Sequence, residues 1–131
     1  MTTKFSTLAA FCAAVALVSV LTGAPAARAD DESCSFALSA PQFTTLPGGG
    51  PAVSATVRAV TCTGLAQATD SYVCITTPAG DNQCKRSPAW NTAEVFVTAG
   101  GNGTYTAQGK GCWAVFEQAD CRDIGAVSAT I

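Results

Sequence analysis

Apolar and polar residues alternate along much of the chain after residue 30. In "AVSATVRAV" the apolar positions are Val53, Ala55, Val57 and Ala59, and the polar positions between them are Ser54, Thr56 and Arg58. In "CSFALSA" the same period places Cys34, Phe36 and Leu38 on one face. A period of two residues is typical of a β-strand that buries one face. These two segments are therefore predicted to be strands.

The rest of this region repeats the pattern at short intervals. The runs "SYVCITT", "AEVFVTA", "GTYTAQGKGCWAVF" and "IGAVSATI" are rich in β-branched or aromatic residues, whereas "PGGGP", "TPAGD", "AGGNG" and "QADCRD" between the runs have the composition of turns. No stretch keeps a clean helical period. We predict an all-β domain of six to eight antiparallel strands, arranged as a two-sheet sandwich.

The predicted core is made mostly of small side chains, because the inward positions are chiefly Ala and Val. Its aromatic volume is expected from Phe36, Phe96, Tyr105 and Trp113. Two sheets with such side chains pack closely and leave little room for an internal ligand cavity. This argues against a small-molecule carrier of the lipocalin kind.

Residues 1–29 have the pattern of a helical secretory signal peptide. Lys4 precedes the apolar run "LAAFCAAVALVSVL", and "ARA" places small residues before a cleavage site at Asp30. The apolar run is too short to span a membrane, and no second such run follows. We expect residues 30–131 to form one secreted domain that is extracellular or associated with the cell envelope, with no membrane insertion.

Seven cysteines occur in the chain, and one of them, Cys12, lies in the predicted signal peptide. The even number that remains indicates three disulfides in an exported protein. No Cys-x-x-Cys pair is present, so a zinc site or a redox pair is disfavoured. The expected pairing is sequential, with Cys34 bonded to Cys62, Cys74 to Cys84, and Cys112 to Cys121.

The middle pair follows from turn geometry. In "TPAGD", Pro78 suits the second position of a type I turn and Gly80 suits the left-handed position that follows. A three-residue loop at Pro78-Ala79-Gly80 sets Thr77 opposite Asp81 and, three pairs further, Cys74 opposite Cys84. Close Cα atoms at a non-hydrogen-bonded pair allow a disulfide. A stapled hairpin is therefore predicted.

The charged residues exclude several functions. Seven Lys and Arg residues and nine Asp and Glu residues give the whole chain a net charge of −2, and both Lys4 and Arg28 leave with the signal peptide. An acidic mature domain does not favour nucleic acid or anionic membrane as a partner. The absence of histidine excludes Ser-His-Asp and Cys-His catalysis and a His-ligated zinc site. We therefore predict a protein that is not an enzyme, with no cofactor and no metal.

One short segment resembles the immunoglobulin-like sandwiches. In "GNGTYTAQGKGC", Gly103 and Tyr105 match the glycine and tyrosine at the start of strand F in that family, where the tyrosine hydroxyl bonds back to the preceding corner. The family's cysteine two residues after the tyrosine is replaced here by Ala107. The composition as a whole resembles small exported six-cysteine proteins of actinobacteria, many of which have no assigned function. Both resemblances bear on architecture and not on activity.

These features lead to three functional hypotheses. The first is a secreted, non-enzymatic binding or cell-surface interaction module whose partner is a protein or an envelope component. Its candidate surface is Lys85, Arg86, Trp90 and Trp113, where each tryptophan is either an exposed anchor or a core residue. The second is a protease inhibitor that presents a loop around Cys84-Lys85-Arg86. A hydrolase built from carboxylates is the least favoured alternative; its candidate residues are Asp70, Asp81, Glu94, Glu117, Asp120 and Asp123.

Overall fold

The computed structural model describes residues 32–131, and these residues contain strands and turns but no helix. The strands are β1 (Cys34–Leu38), β2 (Gln42–Thr45), β3 (Pro51–Cys62), β4 (Gln67–Thr76), β5 (Asn82–Pro88), β6 (Ala93–Thr98), β7 (Thr104–Val115) and β8 (Gln118–Thr130). The all-β prediction and the predicted number of strands are thereby confirmed. The predicted signal peptide lies outside the described residues.

The eight strands form two four-stranded antiparallel sheets. In the first sheet, β3 is central: β6 pairs with one edge of it, while β1 and β2 pair with different lengths of the other edge. The second sheet has the strand order β5-β4-β7-β8. The two sheets pack through β3 and β6 of the first against β4 and β7 of the second, which is the predicted sandwich arrangement.

The main core lies between the sheets and follows the predicted alternation. Its ten buried residues are Val53, Ala55, Val57, Val73, Ile75, Ala93, Val95, Val97, Tyr105 and Ala107. Phe96 was expected in this core, and that expectation is wrong. Phe96 pairs with Ser54 on the outer face of the first sheet, because the period of two residues sends its neighbours Val95 and Val97 inward.

A second apolar cluster lies at the other end of the sandwich. It contains Cys34, Ala59, Ala66, Ala68 and Trp113, with Phe36 packed against it. The rings of Phe36 and Trp113 have their centroids 6.5 Å apart. Trp113 is only 4% exposed, so it is a core residue and is not available to a partner.

All three disulfides have the predicted pairing. The bonds join Cys34 to Cys62, Cys74 to Cys84, and Cys112 to Cys121. Each bond connects residues that are directly opposite in neighbouring strands, so each lies within one sheet and none joins the two sheets. The association of the sheets therefore rests on apolar packing. The three bonds are compatible with an extracellular or other oxidising environment.

The stapled hairpin is also confirmed. The Thr77 amide donates to the Asp81 carbonyl at 2.8 Å, and the Gly80 amide donates to the Thr77 carbonyl at 2.9 Å. Gly80 has a φ of 94°, as the turn requires. Outward from this turn the pairs run through Ile75 and Gln83 to the two cysteines in the expected register.

Two segments that read as loops are strands. β5 does not end near Cys84 but continues through "KRSP", so Lys85 and Arg86 belong to the ladder with β4. The segment "QADCRD" was assigned to a turn, yet it lies in β8. The actual turn is Phe116-Glu117, in which Phe116 has a φ of 54°, a conformation that is unusual for a bulky residue. β7 and β8 are thus joined by a tight hairpin turn.

The tyrosine that carries the immunoglobulin-like resemblance makes the contacts expected of it. The Tyr105 hydroxyl donates to the Gly101 carbonyl and accepts from the Gly100 amide, both at 3.3 Å. These bonds fix the loop before β7 to the buried ring. Membership of the immunoglobulin-like class stays a prediction.

Candidate recognition face

The outer face of the β5-β4-β7-β8 sheet carries an ordered grid of side chains, because residues opposite each other in antiparallel strands point to the same side. One row of this grid crosses all four strands, with Arg86 on β5, Tyr72 on β4, Lys110 on β7 and Asp123 on β8. We call these four residues the central row. The adjacent row contains the Cys74–Cys84 disulfide, Gln108 and Ala126.

The central row places one aromatic ring between two cations. The Lys110 ammonium lies 5.1 Å from the centroid of the Tyr72 ring, and the Arg86 guanidinium carbon lies 5.7 Å from it. Each distance is within the range of a cation–π interaction. Tyr72 is half-buried and both cations are exposed, so the row can meet a partner directly.

The two cations of the row differ in their ionic partners. The Arg86 Nε donates to Asp70 Oδ1 at 2.6 Å, and Arg86 Nη2 forms an ion pair with the same oxygen at 2.5 Å. The hydrogen bond and the charge of Asp70 raise the pKa of Arg86 above its ordinary value. The contact with Asp70 directs the guanidinium group toward β4. Lys110 forms no ion pair among the residues that the structure describes, which leaves its charge open to a partner.

A shallow depression of about 270 Å³ adjoins the central row. Its lining includes Tyr72, the Cys74–Cys84 disulfide, Gln108 and Lys110. A neighbouring depression of about 340 Å³ shares Gln108, Gly109 and Asp123 with it and extends over Gly125 and Ala126 of β8. The two together form one concave strip across the sheet. Concavity, apolar lining and a few polar groups that converge on it are the usual features of a binding site.

The residues predicted from the sequence are only partly brought together here. Arg86 belongs to the central row, whereas Lys85 lies next to it in β5 and points to the opposite side of the strand. Trp90 is 49% exposed in the segment after β5 and is available to a partner. Trp113 is buried and plays no direct part. Tyr72 and Lys110 were not predicted.

The protease-inhibitor hypothesis gains no support from the geometry of β5. Lys85 and Arg86 lie in a hydrogen-bonded strand and not in a loop, so the geometry expected for a protease-inhibitor loop is absent there. Inhibition itself stays a prediction, and an assay with trypsin-like and subtilisin-like proteases tests it. Within residues 32–131, no group of three or more His, Cys, Asp or Glu side chains is placed to hold a metal ion.

A separate depression of about 340 Å³ lies at one end of the sandwich, where the tip of the β4–β5 hairpin meets the loop before β7. Its lining includes Pro78, Asp81, Asn102 and Tyr105. The ring of Tyr105 is buried there and its hydroxyl is already used to hold the loop. The Tyr105 hydroxyl is therefore not free for a partner in this depression.

Comparison with known proteins adds no further constraint, because no family model, curated protein or solved structure matches the chain. No helix among the described residues is long and apolar enough to cross a membrane. The chemistry of the central row is therefore the best indication of what this protein binds.

Proposed function

We propose that this protein is a secreted, non-enzymatic binding or cell-surface interaction module, and that its recognition surface is the outer face of the β5-β4-β7-β8 sheet. The observation that carries the proposal is the placement of Tyr72 between Arg86 and Lys110 beside a concave strip. Tyrosine and arginine are enriched among residues that dominate binding at interfaces. Its partner is a protein or an envelope component.

The charges indicate the chemistry of that partner. Lys110 and Arg86 suit carboxylate or phosphate groups, and the Tyr72 ring with the adjacent disulfide suits apolar surface next to such groups. Asp70 keeps Arg86 oriented across the sheet. A fixed guanidinium loses less side-chain entropy on binding than a free one.

The experiment measures retention of the purified, oxidised protein on immobilised envelope material and on culture proteins of the producing cells. We expect Tyr72→Ala and Lys110→Ala to lose most of the retention. Phe43→Ala is the matched control, because Phe43 is an exposed aromatic residue (63% exposed) on β2 in the other sheet. Retention should also fall as salt is added, since exposed charges are screened.

Two results would contradict this assignment. Equal retention of Tyr72→Ala, Lys110→Ala and the unchanged protein would show that the central row is only a solvated face. Loss of retention in Phe43→Ala alone would place recognition on the first sheet.

A further inference from the structure

The last strand of the second sheet has an open edge that differs from the opposite edge of that sheet. β8 pairs with β7 on one side, and no described strand pairs with its other side. From Ile124 to the end of the strand β8 carries no charged residue, whereas the edge strand β5 carries Lys85, Arg86 and Pro88. Charges and proline are the usual means of preventing edge-to-edge pairing. The edge of β8 is without them.

The hydrogen-bond pattern identifies which backbone groups of β8 are free. Gly103 and Ile131 exchange both of their backbone hydrogen bonds at 3.0 Å, so they form a hydrogen-bonded pair. Such pairs alternate with non-hydrogen-bonded pairs along an antiparallel ladder. Counting back through an unbroken register, Ala129 and Val127 bond to β7. The N–H and C=O groups of Ala126, Ser128 and Thr130 therefore point away from β7.

The side chains around these free groups allow another strand to approach closely. Ala126 and Ser128 are small and exposed, and Val127 on the other face is 38% exposed. Ser128 is bonded to Thr106 within the same sheet at 2.8 Å, which holds its hydroxyl away from the edge. The bulge next to Gly125, whose φ is 103°, separates this segment from the charged Arg122 and Asp123.

We propose that this edge pairs with the same edge of a second copy of the chain, antiparallel, about a two-fold axis at Ser128. Ser128 would then lie opposite Ser128 of the second copy, and Ala126 opposite Thr130 of the second copy. This register uses every free group of the three residues in each copy, because all three positions become hydrogen-bonded pairs. It brings no like charges together, and it is isologous, as a closed dimer requires. The result is a continuous eight-stranded sheet.

The same geometry sets the strength of the dimer. The paired segment is short and its side chains are small, so the interface is smaller than the standard size for stable complexes. Association is therefore weak and depends on concentration. The dimer also places two central rows on one extended face, although the pairing itself does not depend on the proposed binding function.

Sedimentation velocity of the oxidised protein from micromolar to millimolar concentration tests the proposal. We expect the mass to double at high concentration for the unchanged protein and for Ser128→Ala, which keeps the backbone donor. Ser128→Pro removes that donor without breaking a backbone hydrogen bond to β7 and should remain monomeric, as proline is tolerated where an edge N–H faces solvent; it loses the side-chain bond to Thr106, as Ser128→Ala also does. An unchanged protein that remains monomeric at millimolar concentration overturns the proposal, as does a dimeric Ser128→Pro.

A charge exchange tests the register and does not depend on how well the proline variant folds. Ser128→Lys and Ser128→Asp should each be monomeric, because like charges directly opposite each other destabilise a pair. An equimolar mixture of the two variants should form a heterodimer. A mixture that stays monomeric overturns the two-fold axis at Ser128.

Amide hydrogen exchange gives a readout within a single sample. At high concentration the amides of Ala126, Ser128 and Thr130 should become protected, whereas those of Val127 and Ala129 should be protected at every concentration. If all five amides are equally protected at every concentration, that result would contradict pairing between copies.

Discussion

Single glycines in β7 determine how closely the two sheets approach. Gly111 is buried, and a Cβ at that position would collide with three ring atoms of Phe36 from the other sheet. The Phe36 ring is in turn packed against Trp113, so it has little freedom to move. The absence of a side chain at residue 111 is therefore a packing requirement.

Gly111→Val should lower the free energy of unfolding by about 1–3 kcal/mol, which is the usual cost of overpacking a well-filled core. Urea unfolding followed by tryptophan fluorescence measures the change. Gly48→Ala is the control, because no atom lies within 4 Å of a Cβ at that position. Equal stability of Gly111→Val and the unchanged protein would mean that Phe36 can move aside at no cost.

Ser71 places a polar group in the core. Its side chain is fully buried at 0% exposure, and its hydroxyl has no hydrogen-bond partner among the described residues. A buried hydroxyl without a partner costs about 1–3 kcal/mol of desolvation free energy. The protein is therefore less stable with Ser71 than it would be with alanine at this position.

Ser71→Ala should raise the free energy of unfolding by about 1 kcal/mol, because it removes the unsatisfied hydroxyl and changes the volume little. Chemical denaturation of the oxidised protein measures this effect. Ser87→Ala is the matched control, since Ser87 is the partner of Ser71 on β5 and is only half-buried. A clear loss of stability in Ser71→Ala would show that the hydroxyl is bonded in solution.

At the scale of the elements, local turn chemistry explains which predictions succeeded. Pro78 and Gly80 set the turn and hence the whole β4–β5 register, including the pairing of Cys74 with Cys84. Extending that register by two pairs would have placed Tyr72 opposite Arg86, so half of the central row was accessible from the sequence. Lys110 could not be placed from the sequence, because it lies opposite Tyr72 only through the pairing of β4 with β7. No local sequence signal specifies that pairing.

The errors have equally local causes. "QADCRD" has a turn-like composition, yet the Cys112–Cys121 bond and its ladder hold this segment in β8. The actual turn places Phe116, which is 81% exposed, at a φ of 54° where glycine is usual. β2 was also not predicted from the sequence, because its segment "QFTT" is short and follows a proline. Tertiary pairing overrides weak propensity in such segments.

Gly80→Val tests the turn on which the hairpin prediction depended. A β-branched residue at a φ of 94° is strained, and we expect it to lower the free energy of unfolding by about 1–3 kcal/mol. Ala79→Val is the control, since Ala79 lies at the same exposed tip without a positive φ. Thermal unfolding monitored by circular dichroism compares the two. Similar melting temperatures for both variants would show that the turn relaxes to a conformation that valine tolerates.

For the whole molecule, the disulfides compensate for a core built from small residues. Eight of the ten buried residues in the main cluster are Ala or Val, which bury little area each. Small exported domains with limited cores commonly depend on disulfides. Here each bond staples two adjacent strands, and the sequence separations are 28, 10 and 9 residues. The longest loop is the one that closes β1 onto β3.

Three double variants, each with both cysteines of one disulfide replaced by alanine, should differ in stability. The lengths of the loops that the disulfides close predict the order. In the chain-entropy description, replacing Cys34 and Cys62 by alanine should cost about 3.5 kcal/mol, whereas removing either of the other two bonds should cost about 2.5–3 kcal/mol. The first pair should cost still more, because Cys34 is only 1% exposed and packs in the cluster with Trp113. Urea unfolding of the three variants measures the order. If loss of the Cys74–Cys84 bond is the most destabilising, the hairpin and not the β1–β3 closure is the principal constraint on the unfolded chain.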